Sequence, residues 1–85
     1  MVATRNSAGI EFLRTEAETA LVFAKIASDA KDVEKRRRNV AHARKGYETL
    51  LYFGSQLVLT ADERDEMREK LADLYLRLIH LGETF

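Results

Sequence analysis

The chain has 85 residues, with 14 basic and 14 acidic side chains that leave no net charge, and it contains no Pro, Cys or Trp. This length fits one small domain. It is close to the shortest chain that forms a stable core without disulfides or bound metal ions. The absence of cysteine excludes disulfides, thiol catalysis and thiolate zinc sites, and it favours a cytoplasmic location. Residues 1–7 lack the apolar run of a signal peptide, and no stretch approaches the roughly 20 apolar residues that span a membrane, so we expect no membrane partner.

The charges are distributed unevenly along the chain. Residues 1–24 carry a net charge of −1, residues 25–45 carry +5 and residues 46–85 carry −4. Zero net charge argues against a protein that grips nucleic acid over its whole surface. Any binding of nucleic acid would depend on the basic middle segment alone.

The first predicted helix covers residues 8–30, and it has two apolar stripes. One face carries Ile10, Leu13, Ala17, Leu21 and Ala24, at the spacing of a core-facing stripe. Phe12, Phe23 and Ile26 fall on nearly the opposite face. A helix with two stripes either lies between two neighbouring helices or uses one stripe to contact another chain.

The second predicted helix covers residues 33–53, after a turn in residues 28–32. The alternative is one uninterrupted helix over residues 8–53, about 70 Å long, which would require dimerisation along its length. The apolar stripe ends at Gly54, which we expect in the C′ position, and Gly46 in mid-helix would permit a close helix crossing. The members of this stripe are Val40, Ala43, Tyr47, Leu50 and Leu51.

The third predicted helix covers residues 61–81. Thr60 and Glu63 have the spacing of a capping box, and Gly82 closes the helix. Its core stripe consists of Met67, Leu71, Leu74, Leu78 and Leu81. Leu76 and Ile79 lie off that stripe. The three segments together predict an all-α, three-helix up-down-up bundle.

The sequence offers no pattern of catalytic, metal-ligating or cofactor-binding residues. Neither His42 nor His80 has a carboxylate one turn earlier, as a Glu-x-x-His metal motif would require. Glu63, Glu66 and Glu69 recur every three residues, but interleaved basic residues indicate a salt-bridged surface instead of a metal site. We therefore expect a protein that is not an enzyme.

A short pattern in the second helix resembles a known repeat. Ala43, Tyr47 and Leu50 have the spacing of the residues that face the partner helix in the second helix of a tetratricopeptide unit. The first helix supplies a matching set of small and aromatic residues: Ala20, Phe23, Ala24 and Ala27. Over residues 10–83 the pattern is similar to a group of short uncharacterised bacterial proteins. The resemblance implies a tetratricopeptide-like helical hairpin plus a third helix, and it implies no activity and no site residues.

Spare apolar and basic side chains suggest two functions. An interaction or structural module would self-associate as a homodimer through Phe23, Ile26, Leu76 and Ile79, because an up-down-up layout brings the ends of helices one and three together. In the alternative interpretation, Phe23 and Ile26 complete the core of the same chain. The rival function is binding of an acidic partner, including nucleic acid, through the basic residues of helix two, which are Lys35, Arg36, Arg37, Arg38, Arg44 and Lys45.

Overall fold

The structure, a computed structural model that describes residues 7–85, contains three α-helices. They are α1 (Ser7–Asp29), α2 (Val33–Gly54) and α3 (Ala61–His80). No strand occurs in this part of the chain, so the predicted all-α three-helix bundle is confirmed. The segment without a signal-peptide pattern falls in residues 1–6, outside the described residues.

The directions of the helices follow from two ion pairs between α1 and α3. Arg14 pairs with Glu66, and Glu18 pairs with Lys70 one turn further along both helices. Because both partners advance together, α1 and α3 run in the same direction. The start of α2 lies beside the ends of α1 and α3. Arg36 near the start of α2 lines the same groove as residues near the ends of the other two helices.

The turn between α1 and α2 is fixed by Asp32. Its backbone is extended, and its carboxylate accepts a hydrogen bond of 3.0 Å from the backbone N–H of Lys35. This is an N-cap, which satisfies a donor that would otherwise have no partner in the first turn of α2. The chain therefore forms two helices here and not one continuous helix.

Both ends of α3 carry the predicted signals. At the start, the Thr60 hydroxyl accepts from the Glu63 N–H, and the Glu63 carboxylate accepts from the Thr60 N–H, which completes the capping box. At the end, Gly82 has a φ of 96°, and the N–H groups of Gly82 and Glu83 donate to the carbonyls of Ile79 and Leu78. This pattern is a Schellman motif, which needs the left-handed conformation that glycine adopts without strain.

The prediction that Gly54 would occupy a C′ position in α2 is wrong. Gly54 is the last helical residue of α2, and it does not have a positive φ. Ser55 caps the helix in a right-handed conformation, and its N–H donates to the Leu51 carbonyl at 3.3 Å.

The core lies along the shared axis of the three helices. The buried apolar residues include most of the predicted stripes, and α1 adds two alanines, Ala20 and Ala27, that lie almost without exposure. The stripe residue Leu51 is half exposed at the α2–α3 groove. Four other stripe residues are partly buried and pack against the core: Leu21, Tyr47, Leu71 and Leu81. The core residues are Ile10, Leu13, Ala17, Ala20, Ala24, Ala27, Val40, Ala43, Leu50, Met67, Leu74 and Leu78.

The closest approach between α1 and α2 occurs at Gly46. A Cβ atom built on Gly46 would lie 2.7 Å from the Cβ atom of Ala20, a distance that side-chain carbons do not tolerate. Small residues on both helices therefore allow the close crossing that the glycine in mid-helix predicted.

Candidate interaction surfaces

An apolar surface covers the outer side of α3 and the residues after it. Tyr75, Leu76 and Ile79 are 38%, 58% and 42% exposed, and Phe85 is 53% exposed. The rings of Tyr75 and Phe85 lie with their centroids 4.9 Å apart. Ile79 lies one helical turn after both Tyr75 and Leu76, so the helix spacing places these side chains next to one another on α3. We call Tyr75, Leu76, Ile79 and Phe85 the α3 apolar face. Soluble proteins rarely expose several large apolar side chains together without a use.

The C-terminal segment is held against α2 by Arg44. Its guanidinium donates to the Glu83 carboxylate at 3.1 Å and to the Thr84 carbonyl at 2.7 Å. The same guanidinium lies 4.3 Å from the centroid of the Phe85 ring, in cation–π geometry. Phe85 is thereby positioned against Tyr47 and Tyr75. The sequence reasoning missed this contact, because residues 82–85 have no periodic pattern.

The four residues predicted for self-association occupy different environments. Phe23 packs against the core, and its ring lies 4.9 Å from the His42 ring of α2. This is the alternative interpretation in which Phe23 completes the core of its own chain. Ile26 is only partly exposed on α1. Leu76 and Ile79 are exposed on α3. They lie beside Tyr75, whose ring contacts the Tyr47 ring of α2. Phe23 is therefore separated from the exposed pair on α3.

The six predicted basic residues also separate into groups. Two of them have partners within the fold: Arg37 pairs with Glu34 at 3.2 Å, and Arg44 anchors the C-terminal segment. The others, which are Lys35, Arg36, Arg38 and Lys45, are exposed and form no ion pair within residues 7–85.

Arg36 differs from the other exposed bases, because it shares a groove with basic side chains of another helix. The groove lies where α1 and α3 end and α2 begins, and it is also lined by Arg77 and His80 of α3. The sequence analysis did not single out Arg77 and did not connect either residue of α3 with Arg36, because only the packing of the helices brings them together.

The charges of the bundle are divided between its two ends. The end formed by residues 7–20 and 46–70 holds nine acidic and four basic residues, whereas residues 21–45 and 71–85 hold nine basic and five acidic residues. The predicted salt-bridged surface of α3 forms in part: Arg68 pairs with Asp65 on the same helix, whereas Glu66 and Lys70 pair with Arg14 and Glu18 of α1. Glu66 accepts two hydrogen bonds of 2.9 Å from Arg14. That contact lowers the pKa of the Glu66 carboxyl below its usual range.

A second apolar area lies at the acidic end. The Phe12 and Phe53 rings meet edge to face at 5.4 Å, and Tyr52 contacts Phe53 in the same way at 4.9 Å. A nearby groove of about 250 Å³ between α2 and α3 is lined by side chains that include Leu51, Leu59, Met67 and Leu71.

Neither a membrane-spanning helix nor a cluster of metal-ligating side chains occurs among residues 7–85. No helix among residues 7–85 is both long enough and apolar enough to cross a membrane. No group of three metal-ligating side chains converges within the same residues. Comparison of the chain with protein-family models, with curated proteins and with solved structures finds no match.

Proposed function

We propose that the protein is a non-enzymatic interaction module of the cytoplasm that self-associates as a homodimer through the α3 apolar face. The observation that carries the proposal is the contiguous exposure of Tyr75, Leu76, Ile79 and Phe85. A two-fold contact would bury this surface against its own copy, which is the commonest arrangement of small oligomers. The proposed dimer contact keeps Leu76 and Ile79 from the prediction made from the sequence. Tyr75 and Phe85 take the place of Phe23 and Ile26, which are partly buried.

The division of charge supports a second copy of the chain as the partner. In an antiparallel pair, the acidic end of one protomer lies beside the basic end of the other, at both ends of the dimer. Complementary charges of this kind favour one orientation over the other and speed the encounter. A parallel pair would place like charges together.

The test is the solution mass of three proteins at micromolar concentration. We expect the unmodified chain to have the mass of a dimer, and the variant with Leu76→Gln and Ile79→Gln to have the mass of a monomer. Both side chains are more than two fifths exposed, so the variant retains its core and its helical circular dichroism.

A matched control places the same change elsewhere on the surface. Val22→Gln and Val58→Gln alter side chains that are 56% and 70% exposed and lie outside the α3 apolar face. This control remains dimeric if the proposal is correct. A monomeric unmodified chain, or an equal loss of dimer in both variants, would show that the α3 apolar face is not the contact.

The second candidate function is binding of an acidic partner or nucleic acid by α2. Lys35, Arg38 and Lys45 favour it, because they are exposed and form no ion pair within residues 7–85. A mobility-shift assay with duplex DNA at two salt concentrations tests it, since contacts to phosphates make affinity fall steeply with salt. No shift at low salt would exclude this function.

We also propose that α1 and α2 form a tetratricopeptide-like hairpin, as in the bacterial proteins that the sequence resembles. The close approach of Gly46 to Ala20 and the contact between Phe23 and His42 support it, because small and aromatic residues at such positions pack the two helices of that unit. A hairpin of this kind commonly serves as a scaffold for protein contacts.

A further inference from the structure

One groove of the bundle is lined by residues of all three helices, and α2 and α3 contribute its basic side chains. It has a volume of about 220 Å³ and lies at the end where α1 and α3 finish and α2 begins. The residues that line it are Ala24, Ser28, Arg36, Arg77, His80 and Leu81. Four of these six residues carry a hydrogen-bond donor or a positive charge, so the groove can surround an anion from several sides.

The five side-chain carboxylates of residues 21–45 and 71–85 all have partners, and one of them, Asp73, pairs with the groove residue Arg77. Four of them contact side chains, and the fifth, Asp32, caps α2. The four pairs are Asp29 with Lys25, Glu34 with Arg37, Asp73 with Arg77, and Glu83 with Arg44. Arg36 itself has no ion-pair partner within residues 7–85.

Asp73 orients the Arg77 guanidinium but accepts a hydrogen bond from only one of its nitrogens. The contact is made to Nε of Arg77 at 2.8 Å, and the two terminal nitrogens form no hydrogen bond within the described residues. A guanidinium fixed in this way presents its remaining N–H groups in one direction, which suits an oxyanion.

We propose that this groove binds the phosphate group of a small molecule. A phosphate carries up to two negative charges and several acceptor oxygens, so Arg36, Arg77 and the Ser28 hydroxyl can contact it together. A carboxylate has one charge and two oxygens, and it leaves part of the basic lining unpaired. The volume is below the roughly 300 to 1,000 Å³ of pockets for drug-sized ligands, so it fits a phosphate or a small phosphate monoester.

The experiment is an NMR titration of amide signals at constant ionic strength, made with chloride. Inorganic phosphate and free phosphoserine are the probes, and acetate is the carboxylate comparison. The titration uses the Leu76→Gln and Ile79→Gln variant as well as the unmodified chain, so its outcome does not depend on self-association. We expect saturable shifts at Ser28, Arg36 and His80 with both phosphate probes, and weaker binding of acetate.

Arg36→Gln should weaken phosphate binding about tenfold, because a charge-assisted hydrogen bond to a buried face of the ligand is lost. Lys31→Gln is the matched control. It removes one positive charge from an exposed residue at the same end, outside the groove, and should change the affinity by less than about twofold. Both variants should retain the amide dispersion of the folded chain.

Three results would overturn the proposal. One is the absence of saturable shifts with phosphate. Another is an equal loss of affinity in Arg36→Gln and Lys31→Gln, which would show a general effect of net charge. The third is binding of acetate as tight as that of phosphate.

Discussion

The contact between Gly46 and Ala20 sets the distance between α1 and α2. Both positions are buried, and a methyl group on Gly46 would meet the Ala20 methyl group at 2.7 Å. The glycine lowers the intrinsic stability of α2 by about 1 kcal/mol relative to alanine. The close packing of α1 against α2 at this glycine offsets that cost, because it buries apolar surface.

Gly46→Ala should therefore destabilise the protein by about 1 to 3 kcal/mol, because overpacking outweighs the gain in helix propensity. Chemical denaturation measures the change. Gly54→Ala is the control, because a Cβ atom there meets nothing within 4 Å. An equally stable Gly46→Ala variant would show that α1 and α2 can separate without loss.

The pairing of Glu66 with Arg14 gives the stability a dependence on pH. Arg14 lowers the pKa of Glu66 in the folded state, so the pair stabilises the fold above the ordinary carboxyl pKa of 4.5. This contribution is lost as the pH falls through the lower pKa of the folded state. Glu66→Gln should thus reduce the free energy of unfolding at pH 7, and the difference should shrink below about pH 4.5.

Unfolding of Glu66→Gln by urea at several pH values provides the measurement. Glu69→Gln is the control, because Glu69 lies exposed on the same helix and forms no ion pair within residues 7–85. A constant difference between the unmodified chain and Glu66→Gln from pH 7 to pH 3 would contradict the role of the ion pair.

Among the helices, α3 has the most complete terminal signals. Its capping box satisfies backbone donors at the start, and its Schellman motif satisfies carbonyls at the end. Both ends depend on local residues, so α3 begins and ends where the sequence alone predicts within one residue. The outer side of α3 nevertheless carries Leu76 and Ile79 in solvent, which makes this helix the candidate for contact with a partner.

Thr60→Ala should lower the stability by about 1 kcal/mol, because the Glu63 N–H loses its acceptor. Thr60→Ser keeps the hydroxyl and should retain most of the stability. Thermal unfolding at one protein concentration compares the two variants. If Thr60→Ala and Thr60→Ser were equally stable, the hydrogen bond in the capping box would have no part in the stability of α3.

At the scale of the whole molecule, the bundle has one acidic and one basic end, which bear on the proposed association. Because the helices alternate in direction, acidic residues of α1 and α3 gather at one end, while the bases of α2 gather at the other. The proposed antiparallel dimer places the acidic end of one protomer beside the basic end of the other. The summed attraction between the two ends then stabilises the dimer, without depending on any single ion pair.

Raising the NaCl concentration from about 0.05 to 0.5 M should weaken the dimer severalfold, because salt screens attraction between exposed charges. Analytical ultracentrifugation measures the dissociation constant, and circular dichroism at both concentrations checks that the fold is unchanged. A dimer that tightens with salt would indicate purely apolar contact and no preference for the antiparallel orientation.

The bounds of the helices and most of the core can be predicted from the sequence. These features depend on local signals: the capping pattern at Thr60, the glycine at the end of α3, and the regular spacing of residues such as Leu74 and Leu78. The turn before α2 also follows from a local cap at Asp32. Gly54 was misinterpreted because a glycine after an apolar stripe fits both the last helical position and the position beyond it.

Which surplus side chains remain exposed, and which charges meet, depends on how the three helices pack. Phe23 is one example, because its ring packs against the core of its own chain and lies 4.9 Å from the His42 ring. Arg36 and Arg77 are far apart in sequence but line one groove, because the end of α3 lies beside the start of α2. The periodicity of a helix fixes which face a residue is on, but only the packing of three helices fixes what that face contacts.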